Sequence, residues 1–333
     1  MQEQKMDLIT SEQIKMFSNF LDKYEHFFII GHKEPDGDCI SSCLGLAEIV
    51  KAKGKKYTLL SNGPFKRPEI KKFARKFKNE VPFLDKEEAQ KTGLIITDCS
   101  EIHRLGEIGE DLKNYEAFIV DHHKTSDGSI ENAIVNSTAP AAALIVQMLY
   151  EGIIGELTKN VAEILFFGLS TDTGYFRFLT DKESEVFIAS ARLVKAGANP
   201  KQTYNEITGG KSWNTRKLLG LMLERAERYY NGRLVITYET LEDTKKLGQE
   251  GRDSDALYSI VLSCDEVEAV VFIRQDSESS CTFGLRSKDK IDVSKIASQF
   301  GGGGHKNASG GSTEQTIQKL IPAMNKAFSS VFN

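Results

Sequence analysis

Four apolar runs in this chain each lead into an aspartate or a histidine, and this pattern constrains the fold more than any other feature. The clearest run is Phe118-Ile119-Val120, which ends at Asp121-His122-His123 and so holds two of the six histidines of the chain. Such short apolar runs are typical of strands that are buried on both faces of a parallel sheet. Because the carboxyl ends of parallel strands form the ligand crevice of an open α/β sheet, we expect the polar residues to meet at one edge.

The other three runs lead into His32-Lys33-Glu34-Pro35-Asp36-Gly37-Asp38, into Asp98 and into Asp172. Strands are predicted at residues 27–30, 57–60, 94–97, 117–120 and 133–135. Helices are predicted at residues 14–24, 41–53, 139–150 and 158–169. This order of elements predicts an α/β fold, with a doubly wound and mainly parallel sheet in the N-terminal part.

A second, smaller α/β domain is predicted in the C-terminal part. Its predicted strands are residues 233–238, 269–273 and 281–285, and its predicted helices are residues 256–262, 293–299 and 315–328. A chain of 333 residues is long for one hydrophobic core. We therefore expect a metal-binding catalytic domain over residues 1–185, a helical connector over 186–228 and a substrate-binding domain over 229–333.

Composition argues against several classes of protein. The net charge of −4 provides no global basic field for long nucleic acid. The five cysteines are odd in number and form no C-x-x-C pair, which argues against a disulfide framework or a thiolate zinc site. The first eleven residues lack the apolar core of a signal peptide, and no apolar run approaches the roughly 20 residues of a membrane helix. We expect a cytoplasmic protein without a membrane partner.

Four carboxylates and two imidazoles form the candidate set of metal ligands. The set consists of His32, Asp36, Asp38, Asp98, His122 and Asp172. Six ligands are too many for one ion that keeps an open position, but they suit two ions that share a bridging carboxylate. Oxygen and nitrogen ligands without sulfur favour Mn²⁺ over Mg²⁺ or Zn²⁺. Two such ions, roughly 4 Å apart, would bind a bridging hydroxide and clamp a phosphoryl oxygen, so hydrolysis of a phosphate ester or phosphoanhydride is expected.

Each motif alone has a simpler interpretation. Asp-Gly-Asp is common in turns, Asp98 and Asp172 are plausible helix caps, and one of the adjacent histidines can be a packing residue. The metal-binding interpretation depends on the four motifs occurring together, because all four turns carry Asp or His and follow apolar runs in one α/β unit.

The glycines at residues 301–304 followed by His305 form a separate motif. Backbone N–H groups of Gly302, Gly303 and Gly304 can form an anion-binding nest, to which His305 adds a donor. The alternative is a flexible linker or a helix C-cap. Arg286 ends a predicted strand of the same domain and can hold a phosphate bidentately, or it can be an ordinary surface arginine.

Three aromatic residues follow Asp172 in the sequence. They are Tyr175, Phe176 and Phe178, and either base stacking or packing in the core is compatible with their positions.

These motifs together resemble those of the DHH phosphoesterases. The four motifs of that family correspond in order to Gly31-His32 with Pro35-Asp36-Gly37-Asp38, to Thr97-Asp98, to Asp121-His122-His123 and to Thr171-Asp172-Thr173-Gly174. The glycines that precede His305, together with Arg286, resemble the DHH-associated C-terminal domain. The resemblance covers about residues 15–330. It departs from the family at Ser41, where glycine is frequent, and at Ser309, where alanine is frequent, but neither is a candidate ligand.

The resemblance implies a role for each site residue. His32 and Asp36 would bind the first manganese, Asp38, His122 and Asp172 the second, and Asp98 both. Asp121 would orient the site, and His123 would lie beside the scissile phosphate as a donor. Arg286, Gly302, Gly303, Gly304 and His305 would hold the far phosphate of the substrate, with the active site in the cleft between the domains.

Within that family, the chain resembles the group that acts on short oligonucleotides. This group implies an Mn²⁺-dependent hydrolase that converts very short RNA to 5′-mononucleotides and 3′-phosphoadenosine 5′-phosphate (pAp) to AMP. A soluble phosphodiesterase for cyclic di-AMP, or for linear pApA or pGpG, is the alternative enzyme. A nucleotide sensor without catalysis is the alternative outside enzymes. Short RNA or a small nucleotide is the expected partner, and a homodimer is left open.

Overall fold

The computed structural model describes residues 8–123, 130–249, 251–288 and 290–332. The chain divides into two compact units, Met1–Gly210 and Lys211–Asn333. The boundary between the units falls inside the segment 186–228 for which the sequence predicts a helical connector. Each unit is described separately below.

The first unit alternates strands and helices in the order that the sequence predicts. Its strands are β1 (His26–Ile30), β2 (Lys56–Leu60), β3 (Thr92–Thr97), β4 (Ala117–Asp121) and β5 (Ala133–Val135). Its α-helices are α1 (Ser11–Lys23), α2 (Gly37–Ala52), α3 (Lys86–Gln90), α4 (Gly109–Leu112), α5 (Ala142–Ile153), α6 (Lys159–Asp172), α7 (Ser184–Lys195) and α8 (Pro200–Thr208). Short 3-10 helices lie at Pro68–Lys76, Ile102–Leu105 and Asp181–Glu183.

The five strands form one parallel sheet in the order β2-β1-β3-β4-β5, which confirms the predicted sheet. Both faces of its central strands are buried. Phe27 and Ile29 of β1 belong to the core that α1, α2, α5 and α6 build on one face. Phe28 and Ile30 point to a smaller core on the other face, which the segment around Leu105 completes. Continuous apolar strands therefore occur because neither face of the sheet meets water.

Helix α2 begins four residues before the predicted start at residue 41. The reason is a side-chain cap, since Oδ1 of Asp36 accepts hydrogen bonds from the backbone N–H groups of Asp38 and Cys39, each at 3.1 Å. An aspartate at this position satisfies donors that a helix start leaves unpaired. The Asp36-Gly37-Asp38 part of the first motif therefore forms the N-terminal end of α2, whereas His32 lies in the loop between β1 and that helix.

The second unit contains a mixed sheet. Its strands are β6 (Glu227–Tyr229), β7 (Leu234–Glu239), β8 (Ala269–Gln275), β9 (Cys281–Ser287), β10 (Gly303–His305) and β11 (Ala308–Thr313). Its α-helices are α9 (Trp213–Glu224), α10 (Leu241–Leu247), α11 (Ser254–Leu262), α12 (Ser294–Ser298), α13 (Ile317–Ala327) and α14 (Ser329–Phe332). The order is β10-β11-β9-β8-β7-β6, with β7 and β8 parallel and the other pairs antiparallel.

The glycine segment differs from the prediction. The sequence predicts a turn there, whereas the structure places Gly303, Gly304 and His305 in edge strand β10, paired with β11. Glycine lacks the side-chain pattern that identifies a strand, so the hairpin leaves little signal in the sequence. A Cβ at Gly302 would lie 2.4 Å from the carbonyl oxygen of Gly310, so the two backbones approach in a way that only glycine permits.

Among the described residues, no helix combines the length and the apolar character that a membrane crossing requires.

Candidate metal centre

The six candidate ligands converge at the carboxyl edge of the parallel sheet. His32 follows β1 and Asp98 follows the neighbouring strand β3, while His122 follows β4, the next strand along. Asp38 lies in the first turn of α2, and Asp172 is the last residue of α6. Neighbouring strands that end together bring side chains from distant parts of the chain into one space.

Asp98 lies between two imidazoles. Its Oδ2 is 3.3 Å from Nε2 of His32, and its Oδ1 is 3.2 Å from Nε2 of His122. The residue is buried and adopts a left-handed φ of 59°, which aspartate tolerates better than most residues. Oδ1 accepts no hydrogen bond from any described residue. A buried carboxylate oxygen without a donor is costly, and a cation beside it removes that cost.

His122 also faces two further carboxylates. Its Nε2 lies 3.8 Å from Oδ2 of Asp38 and 3.5 Å from Oδ2 of Asp172. Asp38 is completely buried, and it accepts hydrogen bonds from the backbone N–H groups of Ala142 (2.6 Å) and Ala143 (2.8 Å). Because Ala141 has no side chain that can cap α5, Asp38 of α2 serves as the cap of this second helix.

Asp36 lies further from the histidines than the other carboxylates. Its Oδ1 is 4.0 Å from Nε2 of His32, and its Oδ2 is 4.0 Å from Nη2 of Arg67. The structure therefore places all six predicted ligands in one cluster, with Asp36 at its rim.

Both histidines of the candidate ligand set are oriented by backbone carbonyl groups. Nδ1 of His32 lies 2.8 Å from the carbonyl oxygen of Lys33, and Nδ1 of His122 lies 3.2 Å from that of Ala139. Each Nδ1 must carry the proton to donate to a carbonyl group, so each Nε2 points its lone pair at the carboxylates when the ring is neutral. Metal-binding histidines are commonly oriented in this way.

Asp121 positions His122 and His123 by hydrogen bonds. Its Oδ1 accepts hydrogen bonds from the backbone N–H groups of His122 (2.7 Å) and His123 (3.2 Å), and from Nδ1 of His123 (2.8 Å). Its Oδ2 accepts a hydrogen bond from the hydroxyl of Ser100. Nδ1 of His123 lies 3.7 Å from Oδ1 of Asp98, and the His123 side chain is more exposed than that of His122 (35% against 14%). His123 is therefore the histidine that solutes reach more easily.

The electrostatics of the cluster are those of a site that attracts positive charge. Burial lowers the pKa of His32, but its hydrogen bond with Asp98 outweighs burial and raises that pKa to about 12. Burial likewise opposes the charge of His122, yet Asp98 and Asp38 raise its pKa to about 10. Burial raises the pKa of Asp172 to about 6. Burial also opposes the charge of Asp98, but attraction to the two nearby histidines lowers its pKa to about 2.

Two triads among the described residues combine His122 with one or more carboxylates. They are Asp98-His122-His123 and Asp38-His122-Asp172, and the ligand atoms within each triad lie within 4.8 Å of one another. The donor set of carboxylate oxygens and imidazole nitrogens fits hard or borderline divalent cations. Together with the unsatisfied oxygen of Asp98, this chemistry shows that the residues fit metal ions.

Two residues near the centre are missed by sequence reasoning. Ser100 is the donor to Asp121; most buried carboxylates have such a donor, but its position cannot be read from the sequence. The sequence also predicts a site without sulfur, whereas the thiol of Cys39 lies within 4.8 Å of ligand atoms of His32 and Asp98. Cys39 is one residue after Asp38, and only the direction of α2 reveals that its side chain faces His32.

The second unit contains the other predicted binding residues. His305 is paired with Ala308, and Ala308 is paired with Arg286, so all three lie on one face of the sheet. The guanidinium of Arg286 lies 4.7 Å from the ring centroid of Tyr258. Gly303 is paired with Gly310, which is paired with Gly284. A Cβ at Gly284 would lie 2.2 Å from the hydroxyl oxygen of Tyr258, so Tyr258 covers that glycine, whereas a Cβ at Gly303 would meet no described atom within 4 Å.

Comparisons with known proteins agree with this architecture. Residues 26–169 match the family described as "DHH family, N-terminal domain", and residues 233–333 match the "DHHA1 domain". The chain is 26% identical to the bifunctional oligoribonuclease and PAP phosphatase NrnA of Thermus thermophilus, over 94% of each chain. It is 25% identical to the NrnA of Bacillus subtilis, over 87% of this chain and 90% of that one.

Solved structures show the same fold. An exopolyphosphatase-related protein from Bacteroides fragilis superposes with a TM-score of 0.82 at 22% identity, over 97% of this chain and 98% of that one. The exonuclease RecJ bound to manganese has a TM-score of 0.50 at 15% identity, over 98% and 95% of the two chains. At these identities, the similarity concerns the fold.

Proposed function

Because this chain carries the DHH and DHHA1 domains of the DHH phosphoesterases and is a metal-dependent hydrolase of phosphate esters, we propose that very short oligoribonucleotides and pAp are its substrates. It hydrolyses the oligoribonucleotides to 5′-mononucleotides and pAp to AMP. Two Mn²⁺ ions are the proposed cofactor. The relatives named NrnA support this substrate class, because both alignments cover most of each chain.

One observation supports the two-ion proposal above all others, namely the position of Asp98 between His32 and His122. Each of its oxygens faces a different histidine, as a carboxylate shared by two ions requires. We assign His32 and Asp36 to one ion and Asp38, His122 and Asp172 to the other. When bound, such ions polarise a phosphoryl group and lower the pKa of water.

The remaining residues of the centre position the substrate. Asp121 holds Nδ1 of His123 by a hydrogen bond, so the imidazole presents its Nε2 to the solvent side of the centre. We propose that the doubly protonated imidazole of His123, with Asp121 as its counter-ion, donates a hydrogen bond from Nε2 to the scissile phosphate or to the leaving oxygen. Asp121 thus acts through His123 and through the backbone that carries both histidines.

In the second unit, we assign the terminal phosphate of the substrate to Arg286, His305 and the backbone of Gly302, Gly303 and Gly304. Arg286 offers planar donors that match a phosphate bidentately, and the exposed backbone at Gly303 of the edge strand leaves space for an anion. Stacking on Tyr258 limits the motion of the guanidinium, which lowers the entropy cost of binding.

A phosphodiesterase for cyclic di-AMP or linear pApA is the second candidate. The chain is 24% identical to the cyclic-di-AMP phosphodiesterase PdeA of Listeria monocytogenes over 84% of its length, but it spans only 44% of that protein. The partial coverage makes this the weaker proposal.

Turnover of labelled RNA of graded length tests the proposal. With Mn²⁺ present, rates on 5′-labelled RNA of two to five nucleotides should exceed the rate on a 20-nucleotide strand at least about tenfold. Equal rates at all lengths contradict the short-substrate proposal. The same assay with pAp, pApA and cyclic di-AMP ranks the candidates, and binding of these nucleotides without any Mn²⁺-dependent turnover would identify a sensor instead.

A further inference from the structure

The loop after Asp172 has an unusual backbone. Three consecutive residues, Gly174, Tyr175 and Phe176, adopt left-handed φ angles of 56°, 57° and 69°. Such angles are rare for aromatic residues, and strain of this kind concentrates at functional sites. The backbone N–H of Phe178 then donates to the carbonyl oxygen of Thr173 at 3.2 Å. The loop thereby returns to the residue that directly follows the proposed metal ligand Asp172.

The structure gives the three aromatic residues of this loop different environments. Phe176 packs against the core of the first unit. Tyr175 donates a hydrogen bond from its hydroxyl to the carbonyl oxygen of Pro200 at 2.6 Å, and its ring packs edge-on against Tyr204. Phe178 is 62% exposed. Core packing therefore accounts for Phe176 and Tyr175, whereas it does not account for Phe178.

The ring of Phe178 is exposed but held in place. Its atoms lie so close to Gly174 that a Cβ at that glycine would approach them to 2.4–2.9 Å. The guanidinium carbon of Arg177 lies 4.9 Å from the ring centroid, within the range of a cation–π contact. A fixed aromatic ring with an adjacent guanidinium is the kind of surface on which nucleobases stack, whatever their sequence.

We propose that Phe178 is the platform on which a nucleobase of the substrate stacks while the attached phosphate lies at the metal centre. This assignment rests on the proposed function and adds the residue that recognises the base. The contact of the Phe178 ring with Gly174, two residues after Asp172, and the strained backbone between them favour a small ligand of that centre. Contact with another protein molecule is the competing interpretation of an exposed ring.

Equilibrium binding separates base recognition from phosphate recognition. Calorimetry in the presence of Mn²⁺ would compare AMP with ribose 5-phosphate, which has the same phosphate and sugar but no base. Phe178→Ala should weaken AMP binding about tenfold, the scale of one lost base stack, and leave ribose 5-phosphate unchanged. Phe178→Tyr should bind AMP like the wild type. Phe83→Ala is the matched control, because Phe83 is also an exposed phenylalanine (93%) and lies in the segment before α3.

Several results would overturn the assignment. Wild-type protein that binds AMP no more tightly than ribose 5-phosphate, or equal losses for both ligands in Phe178→Ala, would exclude base stacking. A change of oligomeric state in Phe178→Ala but not in Phe83→Ala, with AMP binding unaffected, would identify a protein contact instead. If Phe178→Ala does not fold, Phe178→Leu keeps apolar volume without a π face and should show the same selective loss.

The experiments distinguish failure of this assignment from failure of the proposed function. Binding of AMP that depends on Phe178, together with no turnover of any nucleotide, would refute the proposed function and retain the platform. Turnover of short RNA, together with AMP binding that does not depend on Phe178, would refute the platform and retain the proposed function.

Discussion

At the scale of single residues, Asp98 is the point on which the metal centre depends. Asp98→Ala should reduce Mn²⁺-dependent turnover of a dinucleotide to background, because the variant loses the carboxylate that faces both His32 and His122. Calorimetry should also show fewer than two bound ions. Asp111→Ala is the control, since it removes an exposed carboxylate from α4. An Asp98→Ala enzyme with most of its activity would contradict the shared-ligand assignment.

Asp172 should destabilise the protein when no metal is bound. The folded protein raises its pKa from 3.8 to about 6, so folding favours the protonated form. The charged form therefore opposes folding increasingly as the pH rises from 3.8 to about 6, and the full penalty persists above that range. Asp172→Asn should raise the free energy of unfolding of chelator-treated protein at pH 8 by about 1 to 3 kcal/mol.

Denaturant unfolding at pH 8 and at pH 4 checks this expectation. The gain in Asp172→Asn should shrink at pH 4, where the wild-type carboxyl group is already largely protonated in the folded state. A variant that is less stable than the wild type at pH 8 without metal would show that attraction to His122 outweighs burial.

Most of the ligand set is predictable from the sequence because each member follows an apolar run that ends at the same sheet edge. His32 and Asp98 are examples, since parallel pairing of β1 and β3 brings them together. Ser100 and Cys39 are not predictable in this way, because their roles depend on side-chain directions that only the packed structure defines. A serine two residues after Asp98 is too common to indicate its partner.

At the scale of secondary-structure elements, edge strand β10 offers a matched pair of glycines. A Cβ at Gly303 would meet no described atom within 4 Å, whereas a Cβ at Gly304 would lie 2.6 Å from the carbonyl oxygen of Ala308. Gly304 also has a φ of 138°, a conformation that other residues avoid. Gly304→Ala should cost about 1 to 3 kcal/mol of stability and Gly303→Ala less than about 0.5 kcal/mol.

Thermal unfolding of both variants measures the difference. Gly303→Ala should still fold normally, so any weakening of pAp binding in that variant reports on the proposed phosphate contact and not on stability. Equal destabilisation by the two substitutions would mean that the hairpin relaxes around either methyl group.

Buried strands of the first unit are the elements that the sequence predicts best, because each contains a continuous apolar run, at residues 27–30 in β1, 94–96 in β3 and 117–120 in β4. The hairpin of β10 and β11 is not predictable, since alternation is absent where glycine and serine dominate. The start of α2 is displaced for a different reason, namely that Asp36 caps the helix and is a candidate ligand as well.

At the scale of the whole molecule, the two units have separate hydrophobic cores. Phe17 and Leu46 belong to the main core of the first unit, whereas Leu285 and Met324 belong to that of the second. The sequence predicts two domains from length and element order. The point of division depends on which core each connecting helix joins, and the sequence of helices α7 to α9 does not reveal it.

Mn²⁺ should therefore stabilise the first unit selectively. At about 100 times its dissociation constant, an ion that binds only the folded state adds about 2.7 kcal/mol, which raises the melting temperature of a domain of this size by about 5 to 10 °C. Calorimetric scans with Mn²⁺ and with EDTA should differ in the transition of residues 8–210 and not in that of the second unit. A shift of both transitions together would show that the units unfold as one.

The hydrogen bonds from Ala142 and Ala143 to Asp38 have a practical consequence for substrate trapping. An inactive variant captures its natural substrate in a cell extract only if it stays folded. Replacing Asp38 removes a helix cap as well as a ligand, whereas Asp172 ends its helix and caps nothing that the structure describes. Asp172→Asn is therefore the better bait for identifying what this enzyme binds in its own cell.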